Sequence, residues 1–217
     1  MENDYFCGMK QQEVIIVGAG GHALSLAEFT GDSMAGYLAK EPNAEMPGEW
    51  WGTDEDMARY IAEGNRFHMA FVYSGLPRME QRRLLLKRYE EGGARFVSLI
   101  SPTAIVTPGS VVGEGSAVMA GSIVNRATLG RHVIVNSGAI VEHDCRIGDN
   151  TFVGPGAVVG GFTSIGENCF IGLGARIGNG LKIGDNISVA MGAVVTRNLV
   201  EPGIYHGCPL RLFKCKQ

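Results

Sequence analysis

The sequence predicts an α/β domain on a parallel sheet, residues 1–100, followed by a parallel β-helix of six-residue repeats, residues 101–200, and a tail, residues 201–217. Three observations predict it. Apolar residues recur at every sixth position from Leu129 to Val195. Glycine supplies 32 of the 217 residues, about double the usual share of roughly 7%, and most of it falls after residue 108. The first hundred residues instead alternate strand and helix signals, the pattern of an α/β domain.

The first half opens with the apolar run Val14, Ile15, Ile16, Val17, which suits a buried parallel strand. The glycine turn Gly18-Ala19-Gly20-Gly21 follows, then a short helix to about Phe29. Met34 to Leu38 reads as a second strand, and a long irregular loop holding Pro42, Asn43 and Pro47 comes next. Asp54 to Glu63 reads as a helix, Phe67 to Tyr73 as a strand, Pro77 to Glu91 as a helix opened by proline, and Arg95 to Ile100 as the last strand.

From Ser101 onward helical periodicity stops and a repeat takes over. Leu129, Val135, Val141, Ile147, Val153, Val159, Ile165, Ile171, Ile177, Ile183, Val189 and Val195 are all Ile, Leu or Val, and the residue after eight of these twelve is glycine. An upstream series, Val106, Val112, Val118 and Val124, keeps the period but is offset by one residue, so one residue is missing between Val124 and Leu129. A longer period of eighteen means that three six-residue faces make one turn of a triangular coil. It stacks Asn150, Asn168 and Asn186 at one corner, where asparagine tolerates the left-handed backbone, and His132 falls in the same column. It also stacks Gly138, Gly156, Gly174 and Gly192 beside Ala139, Ala157, Ala175 and Ala193.

The bulk properties exclude several function classes. A formal charge of −3, without a run of Lys or Arg, gives no footprint for nucleic acid or an anionic membrane. The first residues lack the order of a signal peptide, and no stretch of about 18 apolar residues exists, so the expected location is the cytoplasm, without membrane insertion. The five cysteines are odd in number and lack C-x-x-C spacing, which predicts reduced thiols and no cysteine metal site.

The third column of the coil carries an anomaly. It reads "VEHD" at Val141, "VGGF" at Val159 and "IGNG" at Ile177, so His143 and Asp144 interrupt a glycine-rich position that packing alone does not explain. Gly161 lies eighteen residues after His143 and should stack on the same corner. In the first half, Gly18-x-Gly20-x-x-Ala23 fits a Rossmann-like dinucleotide fingerprint. The acidic residue expected after the second strand is missing, since Ala39 and Lys40 follow Leu38, which argues against NAD and for another nucleotide. Cys145 and Cys169 sit at small, inward positions and read as packing residues.

The repeat resembles the left-handed parallel β-helix of the hexapeptide acyltransferases. The combination of "VIIVGAGGHA", "GAIVEHDC" and "GIYHGCPLRLFK" resembles, over nearly the whole chain, one branch of that superfamily. This branch comprises bacterial nucleotide-amino-sugar N-acetyltransferases, as in bacillosamine and perosamine synthesis, and the related sialic-acid O-acetyltransferases. The resemblance implies a homotrimer that uses acetyl-CoA and no metal, and acetylates the 4-amino group of a nucleotide-linked amino dideoxy sugar in glycan biosynthesis. The alternative is O-acetylation of a sialic-acid-like sugar. It further implies His143 as general base, Asp144 as the carboxylate that holds it in preference to Glu142, and the Gly161 N–H as oxyanion donor. Gly20, Gly21, His22, Gly75 and Asn136 would contact the nucleotide sugar, and Phe152, Leu173 and Met191 acetyl-CoA. Two departures stand out: Phe152 replaces a second histidine, and Ala39-Lys40 replaces an acidic pair. A zinc hydratase on the same coil would need three histidines, of which the coil supplies only His132 and His143, and a non-enzymatic scaffold is the remaining rival. His206 has no assigned role.

Overall fold

The computed structural model describes residues 14–30, 33–71, 76–207 and 211–213. The chain divides into two compact units, residues 1–71 with 89–97, and residues 72–88 with 98–217. Residues 76–88 therefore group with the coil, although the sequence reading placed them in the first domain.

In the first unit, β1 (Val14–Val17), β2 (Met34–Leu38), β3 (Glu49–Trp50), β4 (Arg66–Met69) and β5 (Arg95–Phe96) form a parallel sheet in the order β3-β2-β1-β4-β5. The apolar run of β1 is at its centre, with Ile15 and Ile16 fully buried. β3 lies within the stretch read as an irregular loop. α1 (Gly21–Thr30) follows β1, and the expected Asp54–Glu63 helix is a 3₁₀ turn, Asp54–Asp56, running into α2 (Met57–Ala62). Asp56 accepts a hydrogen bond from the Thr53 N–H at 2.9 Å and fixes that entry.

The segment read as one strand from Arg95 to Ile100 is two strands in different sheets. Arg95–Phe96 closes the parallel sheet, while Leu99–Ile100 pairs with Ala117–Val118 and begins the coil. The reason lies in the repeat: Ile100 is six residues before Val106 and packs against the coil's core.

The coil is a left-handed parallel β-helix. Among the described residues it has seventeen strands of two or three residues, from Leu99–Ile100 to Val194–Val195, stacked into three sheets. All twelve apolar residues of the main column are buried. Glycine after them is required by close coil stacking: a β-carbon on Gly148 would lie 2.6 Å from the Gly166 carbonyl carbon. Downstream, successive coils pair eighteen residues apart, as Ile140 does with Val158, whereas Ile123 pairs with Ile140 across the missing residue. The tail continues the stack, since Gly203–His206 pairs parallel with Ile187–Val189 and Arg211–Phe213 folds back antiparallel upon it.

The corners fall where the eighteen-residue period puts them. His132, Asn150, Asn168 and Asn186 all have left-handed φ, between 52° and 57°. Their amides form a ladder, with Asn150 Nδ2 donating to Asn168 Oδ1 at 2.8 Å and Asn168 Nδ2 to Asn186 Oδ1 at 2.7 Å. α3 (Leu76–Glu91) contributes the buried Arg82, whose guanidinium donates to Asn150 Oδ1 and to the His132 carbonyl. Burial lowers the Arg82 pKa to about 9; burial first, and then Arg82, lowers that of His132 to about 3. His132 is thus a corner residue. No helix among the described residues is long and apolar enough to cross a membrane.

Candidate active site

The corner that follows the Ile140–Val141 strand carries Glu142, His143 and Asp144. Asp144 adopts a φ of 59°, a conformation aspartate tolerates better than most residues. The turn brings its carboxylate back onto the preceding imidazole, 3.0 Å from Oδ2 to His143 Nδ1. An ionised carboxylate can only accept, so Nδ1–H donates, and in the neutral imidazole the lone pair then falls on Nε2. Arg126 lies 3.6 Å from the other oxygen of Asp144. Glu142 is engaged elsewhere: its Oε2 accepts from Asn125 Nδ2 at 3.1 Å and from the His143 N–H at 3.3 Å. The structure therefore puts Asp144, and not Glu142, on the imidazole. Asn125 and Arg126 were not anticipated, because the missing residue puts Asn125 seventeen, rather than eighteen, before Glu142.

Gly161 stacks against His143 on the next coil, buried beneath the ring. A β-carbon there would stand 3.0 Å from both Cε1 and Nε2 of His143, so glycine leaves the room in which the imidazole lies. Phe162 follows with its ring perpendicular to the imidazole, centroids 5.0 Å apart and planes at 90°. His143, Asp144 and Gly161 thus form one half-exposed cluster, with the Cε1–Nε2 edge of the ring turned toward Gly161.

The other expected coil residues lie elsewhere. Asn136 follows the Ile134–Val135 strand, at the opposite end of the Ile140–Val141 strand from His143, and its Oδ1 accepts from the Ser137 N–H at 2.7 Å. Leu173 and Met191 belong to that same corner on higher coils, and are 49% and 75% exposed. Two corners of one chain, not one cleft, therefore carry the expected residues. Phe152 is 6% exposed and stacks on Phe170 at 5.0 Å and 4°, so packing within the chain accounts for its ring, unlike the exposed Leu173 and Met191. Cys145 is buried, with its Sγ 3.1 Å from the Gly160 carbonyl, and burial raises its pKa away from a reactive thiolate.

In the first unit, the turn after β1 is held by Gly18, whose φ of 117° and close approach to Ala70 and Phe71 both call for glycine. Gly20 and Gly21 are exposed, with open space where side chains would sit, and His22 is in the first turn of α1. This turn lies at the carboxyl end of β1, where the strand order reverses between β2 and β4, the place at which open α/β sheets bind ligands. Asn43, from the loop after β2, donates to the Ala19 carbonyl at 2.7 Å and braces the turn. Gly75 lies outside the described residues. Among the described residues, no three His, Cys, Asp or Glu side chains stand together in a group that could hold a metal ion.

Comparison with known proteins places these features. Residues 126–161 match the family described as bacterial transferase hexapeptide (six repeats), and residues 162–197 match the hexapeptide repeat of succinyl-transferase. The structure of PerB from Caulobacter crescentus, in complex with CoA and GDP-perosamine, is similar at a TM-score of 0.83 and 33% identity, over 93% of this chain and 97% of that one. A variant of perosamine N-acetyltransferase from the same organism, with a histidine replaced by asparagine, is 32% identical at a TM-score of 0.85, over 94% of this chain and 97% of its own. The acetyltransferase domain of PglB from Neisseria gonorrhoeae FA1090, in complex with acetyl coenzyme A, is 27% identical at a TM-score of 0.84, over 93% of this chain and 99% of that domain. No protein in the curated set matches.

Proposed function

Because the chain belongs to the hexapeptide-repeat sugar N-acetyltransferases, we propose that it transfers the acetyl group of acetyl-CoA to the 4-amino group of a nucleotide-linked amino dideoxy sugar. The observation that carries this reading is the His143 imidazole, held at Nδ1 by Asp144 with the Nε2 edge over Gly161. The relatives' bound ligands, CoA with GDP-perosamine and acetyl coenzyme A, support the donor and the class of acceptor.

The chain's residues would act as follows. His143 Nε2 takes the proton from the attacking amine as the carbon–nitrogen bond forms at the thioester carbonyl. Asp144 keeps the imidazole in the required tautomer and balances its charge once protonated. The Gly161 N–H donates to the oxyanion of the tetrahedral intermediate, a contribution of about 2.7–4 kcal/mol where such donors have been removed. The carbon–sulfur bond then breaks, and His143 returns its proton to the departing thiolate. Gly20, Gly21 and His22, at the N-terminus of α1, would take the diphosphate. A CoA thioester as donor suits a cytosolic reaction.

We further propose a homotrimer. Asn136, Leu173 and Met191 occupy a different corner from His143, so a second copy is needed to set an acetyl-CoA surface beside the base. An outward stripe of Ile123, Ile140 and Val158 on the face between those corners supports such packing. His143→Ala should lower turnover by at least about 100-fold, with unchanged mass and melting temperature, measured with UDP-, GDP- and dTDP-linked 4-amino sugars and with free sialic acid. Near-normal activity in that variant would overturn the base, and transfer to sialic acid alone would overturn the acceptor.

A further inference from the structure

We propose that Phe162 is a specificity-determining residue: its ring forms an apolar wall beside the base and selects acceptor sugars that lack a hydroxyl where the sugar meets it. The inference rests on the reaction proposed above. Three observations converge on this ring. Phe162 has a φ of 61°, in a column shared with Arg126, Asp144 and Gly180. The left-handed turn is the geometry of this corner in all four of those coils, and what is uncommon is a bulky residue placed in it. The ring is also 65% exposed, so core burial does not explain a phenylalanine at this turn.

The third observation is placement. The Cε1–Nε2 edge of His143 faces residue 161, and Phe162 is the next residue, its ring centroid 5.0 Å from that of the imidazole. An amine within hydrogen-bond reach of Nε2 brings its sugar carbons to within a few ångströms of the base, which is the space the phenyl ring borders. The following coil has Gly180 in this column, with open space where a β-carbon would sit, so the ring is not covered from that side. A hydroxyl set against the ring loses hydrogen bonds to water without replacement, whereas a methyl or methylene loses none. An apolar wall discriminates against an added hydroxyl by up to about 100-fold.

The test compares the full-length enzyme with Phe162→Gly, Phe162→Leu and Phe162→Tyr, using a nucleotide-linked 4-amino-6-deoxy sugar and its 6-hydroxy counterpart. Phe162→Gly relieves the left-handed backbone and should fold with a melting temperature equal to, or about 2–4 °C above, the wild type. Its KM for the deoxy acceptor should rise about 10-fold, equivalent to about 1.4 kcal/mol, with the KM for acetyl-CoA unchanged. The deoxy-over-hydroxy preference in kcat/KM should fall toward one, and Phe162→Leu and Phe162→Tyr should retain most of it. Unchanged acceptor KM and selectivity in Phe162→Gly overturn the proposal, as does loss of native mass, which would make the ring a subunit contact. Wild-type enzyme that acetylates no amino sugar overturns the parent reaction, and this assignment with it.

Discussion

At residue 161 the absence of one methyl group decides where the candidate base can lie. In Gly161→Ala the new carbon would stand 3.0 Å from two atoms of the His143 ring, so the imidazole must give way by a few tenths of an ångström. Residue 161 is not among the positive-φ positions, so alanine adds no strain of that kind, though its carbon would also lie 3.3 Å from the His143 carbonyl oxygen. We expect a fall in kcat short of the roughly 100-fold that an ångström's misplacement costs, with a small change in melting temperature. Full activity in that variant would show that His143 need not rest there. The pairing of His143 with Gly161 was legible in the sequence, because an eighteen-residue period is arithmetic. Which carboxylate holds the imidazole was legible only through the family resemblance, since Glu142 and Asp144 flank it equally in sequence and only the left-handed turn at Asp144 separates them. Asn136 illustrates the converse: seven residues before His143, its place on another corner could have been read from the six-residue period alone.

Among elements, the asparagine corner and α3 act together. The ladder of Asn150, Asn168 and Asn186 could be foreseen from the repeat, but its end on Arg82 could not, because an arginine on a helix this rich in charge ordinarily faces solvent. Beside Arg82, His132 is 4% exposed and its pKa is lowered to about 3. The unfolded chain takes up a proton at His132 near pH 6.5 that the folded chain refuses until near pH 3. Stability contributed at neutral pH is therefore lost as pH falls through that window, by up to about 1.4 kcal/mol per pH unit. His132→Asn, which matches the rest of its column, should flatten the decline. Urea midpoints at pH 7, 5 and 4 measure it, and equal slopes in the two proteins would assign the acid sensitivity to other groups. The division of residues 95–100 between two sheets was hidden for a related reason. A continuous strand-like run gives no local sign that its first half joins one unit and its second half another.

For the whole molecule, the outward stripe of Ile123, Ile140 and Val158 is where assembly can be tested. Val158→Arg adds a charge to that face without touching the inward core and should convert a trimer to monomers, read by light scattering, with activity lost in the dissociated protein. A trimer that survives the change would move the interface to another face. The omitted residue between Val124 and Leu129 has a different kind of consequence. Downstream of it the coil is a ruler with an eighteen-residue graduation. Excising residues 166–183 would join Ile165 to Gly184 and leave every remaining column in phase, with His143 and Gly161 untouched. Upstream of Val124 the graduation is the same, as Ile105 pairs with Ile123, but its origin is shifted by one residue, so a splice across the gap must remove seventeen residues to keep the inward valines inward. A single omitted residue thus divides the coil into two reading frames of shape, so a cut that keeps the columns in phase is eighteen residues long within either part and seventeen across the gap.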